Sequence, residues 1–464
     1  MYFFDKHPDF KTCTLFEDDC GQEATYETWY AHADELGGVV PSRSLAAIVC
    51  RNTIGSALSY LCCLQNRVVP LPMDDELKQG LLDAYRPEFI FCPHGTEGGN
   101  PLYSLYDYDV YRHNDTSPAL YETLGLLLTT SGSTGSPKLV RLSYDNIQSN
   151  AASIAQYLEL TAADRPVSSL PMHYTFGLSV INSHVLCGAA ECLTTATVFD
   201  AAFWQFCKEK RVTSIAGVPF TYECLRRLKF TAMDLPDLTL MIQAGGKLSK
   251  KLQKEFGEYA AGTGKRFVVM YGQTEATARM SYLPPADCLR KIGSIGIAIP
   301  GGSFSILDDD HAELTKPNAI GELCYDGPNV SLGYAHCADD LQLGDERHGR
   351  LFTGDIAYCD EEGFYYIAGR KKRFVKIMGK RVNMDEVEQL FKNAFADRDF
   401  ACTGGDDDLI VFTTAPETSL SALEDFLVAK TSLHPSCFTI RSIAAIPKNS
   451  SGKTQYTDLP GTKD

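Results

Sequence analysis

The chain has 464 residues, 44% of them apolar and 22% charged, which is the make-up of a soluble globular protein long enough for two or three domains. Its formal net charge of −16 excludes nucleic acid and anionic membrane surfaces as partners of the chain as a whole, while a local basic pocket stays possible. No apolar run approaches about eighteen residues, so no membrane span is expected. The start, MYFFDKHPDF, lacks the basic region and long apolar core of a secretory signal.

Taken in chain order, residues 42 to 93 alternate between strand-like and helix-like segments. LAAIVC (45–50) reads as a strand, GSALSYLCCLQ (55–65) as a buried helix and RVVPLP (67–72) as a strand. DELKQGLLDAY (75–85) then reads as a helix and EFIFCP (88–93) as a strand. This rhythm marks a parallel sheet with covering helices. It returns around 193–217 and 239–271, where strand-like FVVMY (267–271) runs straight into GQTEATAR. Ligand sites in such folds lie at the carboxyl ends of strands. From about 293 short β-rich runs divided by Gly and Pro suggest a small antiparallel unit. The charged turn GRKKRFVK (369–376) precedes a last segment in which NMDEVEQLFKNAF and SLSALEDFLVAKT look helical and LIVFTT strand-like. The expected class is α/β: helix-covered sheets over most of the chain with a small β-rich unit, then a small α+β segment at the C-terminal end. The sixteen cysteines are scattered and form no CxxC pair. They read as reduced thiols packed as small hydrophobes in a cytoplasmic protein, not as a metal site.

One stretch stands out for chemistry. TTSGSTGSPK (129–138) follows the apolar run Leu126-Leu127-Leu128. Thr129, Thr130, Ser131, Ser133 and Thr134 offer hydroxyl donors, Gly132 and Gly135 let backbone N–H groups approach a ligand, and Lys138 adds a point charge. Together they suit phosphate oxygens. The bland alternative is a flexible linker. The GxxxxGK[ST] nucleotide loop does not fit, because the place of its second glycine after Gly132 is taken by Pro137. SSGKT (450–454) fails the same template, with Pro447 where the first glycine belongs.

Several motifs in order resemble those of the adenylate-forming enzymes, the superfamily of acyl- and aryl-CoA ligases, stand-alone adenylation domains and luciferases. TTSGSTGSPK resembles its phosphate loop, AGGKLS (244–249) the segment before the adenine pocket, and YGQTEAT (271–277) its central motif. TGD (353–355) and GRKKRFVKIMGKRV (369–382) resemble the ribose and hinge motifs, and PKNSSGKT (447–454) the terminal lysine motif.

The resemblance implies an AMP-binding domain over 1–370 and a mobile lid over 371–464. It implies ATP-dependent conversion of a carboxylic acid to an acyl-adenylate, then transfer to a thiol. Glu275 is implied as the Mg²⁺ ligand, Thr274 as a donor to the α-phosphate, and Lys138 and Lys453 as catalytic lysines. Tyr271, Gly272, Gly245 and Gly246 are implied at the adenine, Asp355 and Arg370 at the ribose or phosphates, and Lys372 at the hinge. Tyr174, Thr175, Val218, Pro219, Tyr222, Ala276 and Thr277 are implied as walls of the acid pocket, with His173 beside the gate. Domains that activate α-amino acids carry Asp where this chain has Thr175. An ordinary acid is therefore favoured over an α-amino acid, which is the alternative substrate. A basic pair common after the terminal lysine is replaced by KTQYTDLPGTKD. CoA and a carrier-protein pantetheine both remain as acceptors, with Lys376 and Gly379 on the thiol's approach. A nucleotide-binding relative that no longer catalyses is the reading from another class; the intact Lys138, Thr274, Glu275, Asp355 and Lys453 oppose it.

Overall fold

The computed structural model describes residues 1–129, 138–377, 380–405, 408–431, 433–448 and 454–460, without the side chains of 372, 374, 376, 380 and 381. The chain forms two compact units. One holds Met1–Phe304 and Tyr325–Leu351, the other Ser305–Cys324 and Phe352–Asp464. No helix among the described residues is long and apolar enough to cross a membrane.

The first unit contains two large sheets. In the five-stranded sheet Leu45–Val49 is flanked in parallel by Val69–Met73 and Phe89–Pro93, as the β-α-β rhythm predicts. Val69–Met73 lies at the edge of this sheet, which is why Pro70 and Pro72 are tolerated there: neither has an N–H to give to a further strand. Helix Ile54–Gln65 is buried from Ile54 through Leu64, with Cys62 and Cys63 packed as apolar groups. All sixteen cysteines are free thiols. The helix expected over 75–85 is shorter, Gln79–Tyr85. Lys78 caps it without a side-chain bond and pairs instead with Asp74 and Glu76. The acidic run before it therefore stays in the loop.

The nine-stranded sheet carries the parallel strands Pro166–Val167, Ser214–Gly217, Leu240–Gln243 and Arg266–Tyr271 side by side. A smaller sheet joins Leu124–Thr129, Leu139–Ser143 and Gly333–Ala335. The second unit has its own core, in which Phe391, Phe400, Leu409, Val411, Leu423 and Leu427 are almost fully buried.

Glu191 is buried inside the nine-stranded sheet, and its Oε2 has no hydrogen-bond partner among the described residues. Burial raises its carboxyl from 4.5 to about 8. The folded chain thus keeps a proton that the unfolded chain releases above about pH 4.5, so this group's contribution to stability falls as pH rises toward 8. Glu191→Gln cannot ionise. It is expected to raise stability at pH 8 by on the order of a few kcal/mol and to change it little at pH 4. Urea midpoints at the two pH values check this.

Candidate active site

The carboxyl ends of three neighbouring parallel strands carry the motif residues. Gly217 leads into Val218 and Pro219, Gln243 into Gly245 and Gly246, and Tyr271 into the turn Thr274–Ala276. Gly245 has φ +80°, and a Cβ there would lie 3.1 Å from Val218 Cγ1; one on Gly246 would lie 3.1 Å from Pro219 Cγ. The glycines let the second strand end press against the first.

After Tyr271 the chain doubles back on itself. A Cβ on Gly272 would sit 1.7 Å from the Ala278 carbonyl oxygen, so only glycine fits. Thr277 and Ala278 have φ +55° and +98°, values that non-glycine residues seldom adopt. A polar clamp holds this strained turn. Asn329 Nδ2 donates to the carbonyls of Ala276 (2.7 Å) and Arg279 (3.0 Å), and Thr277 Oγ1 donates to the Asn329 carbonyl at 2.7 Å. Tyr325 donates to Asn329 Oδ1, and the Ser331 N–H to the Glu275 carbonyl.

The turn presents Thr274 and Glu275, both half-buried. Thr175 Oγ1 donates to Thr274 Oγ1 at 3.1 Å, which ties the expected acid gate to the central motif. Glu275 Oε1 accepts from the Tyr334 phenol at 2.8 Å. Lys138 Nζ stands 3.5 Å from the centre of the Tyr334 ring and the Arg347 guanidinium 4.7 Å from it. Burial, and next the Glu275 charge, push the Tyr334 phenol up. Tyr334 thus joins Lys138 to the Glu275 carboxylate. Its strand is pinned by Arg141, fully buried, whose Nε donates to the Tyr334 carbonyl at 2.9 Å and whose Nη2 pairs with Glu346.

Other expected residues fall as follows. Thr129 ends its strand opposite Leu139. Thr130, Ser131, Gly132, Ser133, Thr134, Gly135, Gly379 and Lys453 lie outside the described residues. Tyr271 is half-buried, and Gln273 Nε2 donates to its hydroxyl at 3.2 Å. Tyr174 immediately precedes helix Thr175–Leu186, with His173 4.5 Å from its ring. Burial holds the His173 imidazole below its usual range, so it is neutral at pH 7. Ala276 is buried in the core. Tyr222, expected in the pocket wall, is a core residue too: its ring packs between Phe256 and Phe267 and its hydroxyl donates to the Ile242 carbonyl at 3.0 Å.

In the second unit Asp355 is buried and its Oδ1 pairs with Arg370 Nε at 2.7 Å. Lys371 pairs with Glu322, and Arg373 with Asp385 and Glu388. Arg370, Lys371 and Arg373 of the charged turn are thus each paired with a carboxylate. Lys372 lies in the short helical turn Lys371–Arg373, and Lys376 in strand Phe374–Ile377.

Sequence reading missed Tyr334, Arg141, Asn329 and Arg279. An arginine in an apolar strand, LVRLS, and one closing YGQTEATAR were the available signals. Charge in a segment that is otherwise buried calls for a partner.

A family model described as AMP-binding enzyme matches residues 4–335. The chain belongs to the AMP-binding enzyme family. Lys138, Thr274, Glu275 and Tyr334 all lie inside the matched span. Among relatives of this family, indoleacetate–CoA ligase of Aromatoleum aromaticum is 32% identical over 68% of this chain and 60% of its own length. Oxalate–CoA ligase of Arabidopsis thaliana is 32% identical over 57% and 51%. The chain thus spans between half and two thirds of those two proteins. 2-Succinylbenzoate–CoA ligase of Listeria monocytogenes is 29% identical over 74% and 72%. O-succinylbenzoate coenzyme A synthetase (MenE) of Bacillus subtilis, solved with AMP, superposes with a TM-score of 0.77 at 21% identity over 98% of both chains. ATP-bound MatB of Rhodopseudomonas palustris does so with 0.73 at 21% over 96% and 94%. The fold is that of the adenylate-forming enzymes, a large N-terminal and a small C-terminal domain.

Proposed function

We propose that this AMP-binding enzyme activates a carboxylic acid with ATP and passes the acyl group to a thiol. The carrying observation is the clamped turn that holds Thr274 and Glu275 at the end of Arg266–Tyr271, with Lys138 joined to Glu275 through Tyr334. In the first step a carboxylate oxygen attacks the α-phosphorus, the bond to the bridging oxygen breaks, and pyrophosphate leaves. In the second the thiol sulfur bonds to the acyl carbon, AMP departs, and the thiol proton passes to solvent.

Two anions must meet in the first step, so the work is positioning and charge stabilisation. Thr274 donates to the α-phosphate and Lys138 to the leaving pyrophosphate. Asp355, held by Arg370, accepts from the ribose hydroxyls. Lys453 bridges the carboxylate and the α-phosphate, and Lys372 serves as the hinge of a lid over 371–464. Mg²⁺, when bound, offsets the charge of the phosphates. Glu275 fits that ion: Oε2 has no hydrogen bond among the described residues, and a single carboxylate with nucleotide phosphates is a usual Mg²⁺ environment. The acceptor is CoA, as the names of the relatives suggest, or a carrier-protein pantetheine. Among the acid-pocket candidates Tyr174, Thr175, Val218, Pro219 and Ala276 none is acidic, which favours an ordinary acid over an α-amino acid. Oxalate and 2-succinylbenzoate, named for two of the relatives, each carry two carboxyl groups.

Pyrophosphate release with ATP, Mg²⁺ and a panel of carboxylic, hydroxy and amino acids, hydroxylamine present as trap, tests the reading. Release with one acid class supports it, and CoA added afterwards tests the acceptor. No release and no ATP binding would overturn it. Tyr334→Phe keeps the ring beside Lys138 and removes the donor to Glu275. The Mg²⁺ concentration for half-maximal release is then expected to rise roughly tenfold, the worth of about 1.5 kcal/mol for a hydrogen bond to a charged group. A magnesium titration of both proteins measures it.

A further inference from the structure

A cleft of about 340 Å³ opens in the first unit among Tyr2, Arg43, Arg67, Glu122, Tyr144 and Asp145. None of these residues belongs to the site described above, and the volume lies in the range of small-molecule sites. Two arginines are built into its wall. The Arg43 N–H donates to the Arg67 carbonyl at 2.9 Å, and the two guanidiniums stand 5.9 and 5.4 Å from the centre of the Tyr144 ring. Arg67 Nη2 pairs with Asp5 at 2.7 Å, and the Tyr2 phenol donates to Asp145 at 2.9 Å. Those two charges are met within the chain. Among the described residues no carboxylate pairs with Arg43, and neither a cation nor a hydrogen-bond donor meets the Glu122 carboxylate. The cleft wall thus holds one unpaired charge of each sign.

The donors in the wall suit a carboxylate. Arg43 Nη1 donates to the Leu124 carbonyl (2.8 Å) and the Tyr144 hydroxyl (3.0 Å), and Nη2 donates to the Tyr121 carbonyl (2.5 Å). The Nε proton and one Nη2 proton stay uncommitted among the described residues. Tyr144 is 7% exposed, and its own hydroxyl proton has no acceptor among them either. Burial holds this phenol above its usual range, so the proton stays on the oxygen. Guanidinium and phenol protons together match the two acceptor oxygens of a carboxylate. Glu122 has the opposite need. It is exposed, lines the same cleft and does not pair with Arg43, so a cation is what it lacks. A ligand with one charge of each sign answers both.

We propose that this cleft binds a free amino acid with a neutral side chain, its carboxylate on Arg43 and Tyr144 and its ammonium group on Glu122. The side chain is neutral because the remaining charges of the wall, Arg67 and Asp145, already have partners. The site stands apart from the acid pocket. Glu122 and Thr123 precede strand Leu124–Thr129, and the TTSGSTGSPK motif begins only at the far end of that strand, roughly 17 Å on at about 3.3 Å per residue.

The test screens the protein amino acids on the full chain by thermal shift. The strongest binder is then titrated by calorimetry beside two analogues of it, one without the carboxyl group and one without the amino group. A neutral amino acid is expected to bind best, the analogue without the carboxyl group at least about tenfold more weakly, and the one without the amino group about fivefold more weakly. Arg43→Met should weaken the amino acid at least about tenfold. Glu122→Gln should erase the difference between the amino acid and its deaminated analogue. Binding by no amino acid overturns the proposal, as does a charged amino acid as the strongest binder. Binding that persists unchanged in Arg43→Met places the ligand elsewhere, the acid pocket included, and overturns it too. Arg43 also holds the carbonyls of Tyr121 and Leu124, so a fall in the melting temperature of Arg43→Met marks a folding defect. Glu122→Gln, which removes no bond among the described residues, then decides. Pyrophosphate release is no part of the readout, so a failure of the ligase reading leaves this test intact.

Discussion

Replacing Lys453 by alanine is expected to slow acyl-adenylate formation by about 10²–10³ while ATP-Mg²⁺ binding changes little. In the proposed mechanism a long cationic side chain touches the incoming carboxylate and the α-phosphate together, a contact that matters most as charge builds between them. Lys453 lies outside the described residues, but its flanks are defined. Lys448 and Thr454 form an antiparallel bridge, and the Gln455 N–H donates to the Pro447 carbonyl at 2.9 Å. Pyrophosphate release and calorimetric ATP binding, measured on one preparation, separate the two effects. Unchanged adenylation in Lys453→Ala would remove this residue from the mechanism.

Gly272→Ala is expected to cost about 3 kcal/mol or more of stability and to reduce pyrophosphate release at least ~10²-fold. The added methyl would meet main-chain atoms, the Ala278 carbonyl oxygen at 1.7 Å and its carbon at 2.6 Å, and neither can swing aside as a side chain could. Relief requires moving the turn that holds Thr274 and Glu275, and both would leave their partners Thr175 and Tyr334. Gly262 is the control. It lies in helix Lys250–Thr263 with nothing within 4 Å of its Cβ position, so alanine there should be neutral or stabilising by up to about 1 kcal/mol. Urea midpoints for the two variants test the contrast.

The strands and helices between residues 45 and 93 were legible because apolar runs and Gly/Pro breaks report burial directly. The end of Arg266–Tyr271 was legible because the motif begins where the apolar run stops. What composition hides is direction. Tyr222 reads as a pocket aromatic, yet it faces Phe256 and Phe267, and nothing local distinguishes the two faces of its helix. Arg370, Lys371 and Arg373 look solvated because their partners, Asp355, Glu322, Asp385 and Glu388, lie 12 to 49 residues away in sequence. Asn329 and Tyr334 were missed for the same reason. Each acts on a turn more than fifty residues upstream, and a single sequence carries no sign of such pairing.

The strand Gly333–Ala335 pairs with Leu139–Ser143, and Arg141 grips the Tyr334 carbonyl across 193 residues of chain. Every strand of the nine-stranded sheet lies before residue 299. During synthesis that sheet can therefore form while Glu275 still lacks its phenol and Lys138 its aromatic platform. Contacts this distant in sequence close late, because the loop must be ordered before they repay it. Recovery from denaturant should accordingly run in two stages, with sheet content returning first and catalytic competence following when the 330s dock. A chaperone that shields the interval would raise the yield of active enzyme without changing the stability of the finished fold.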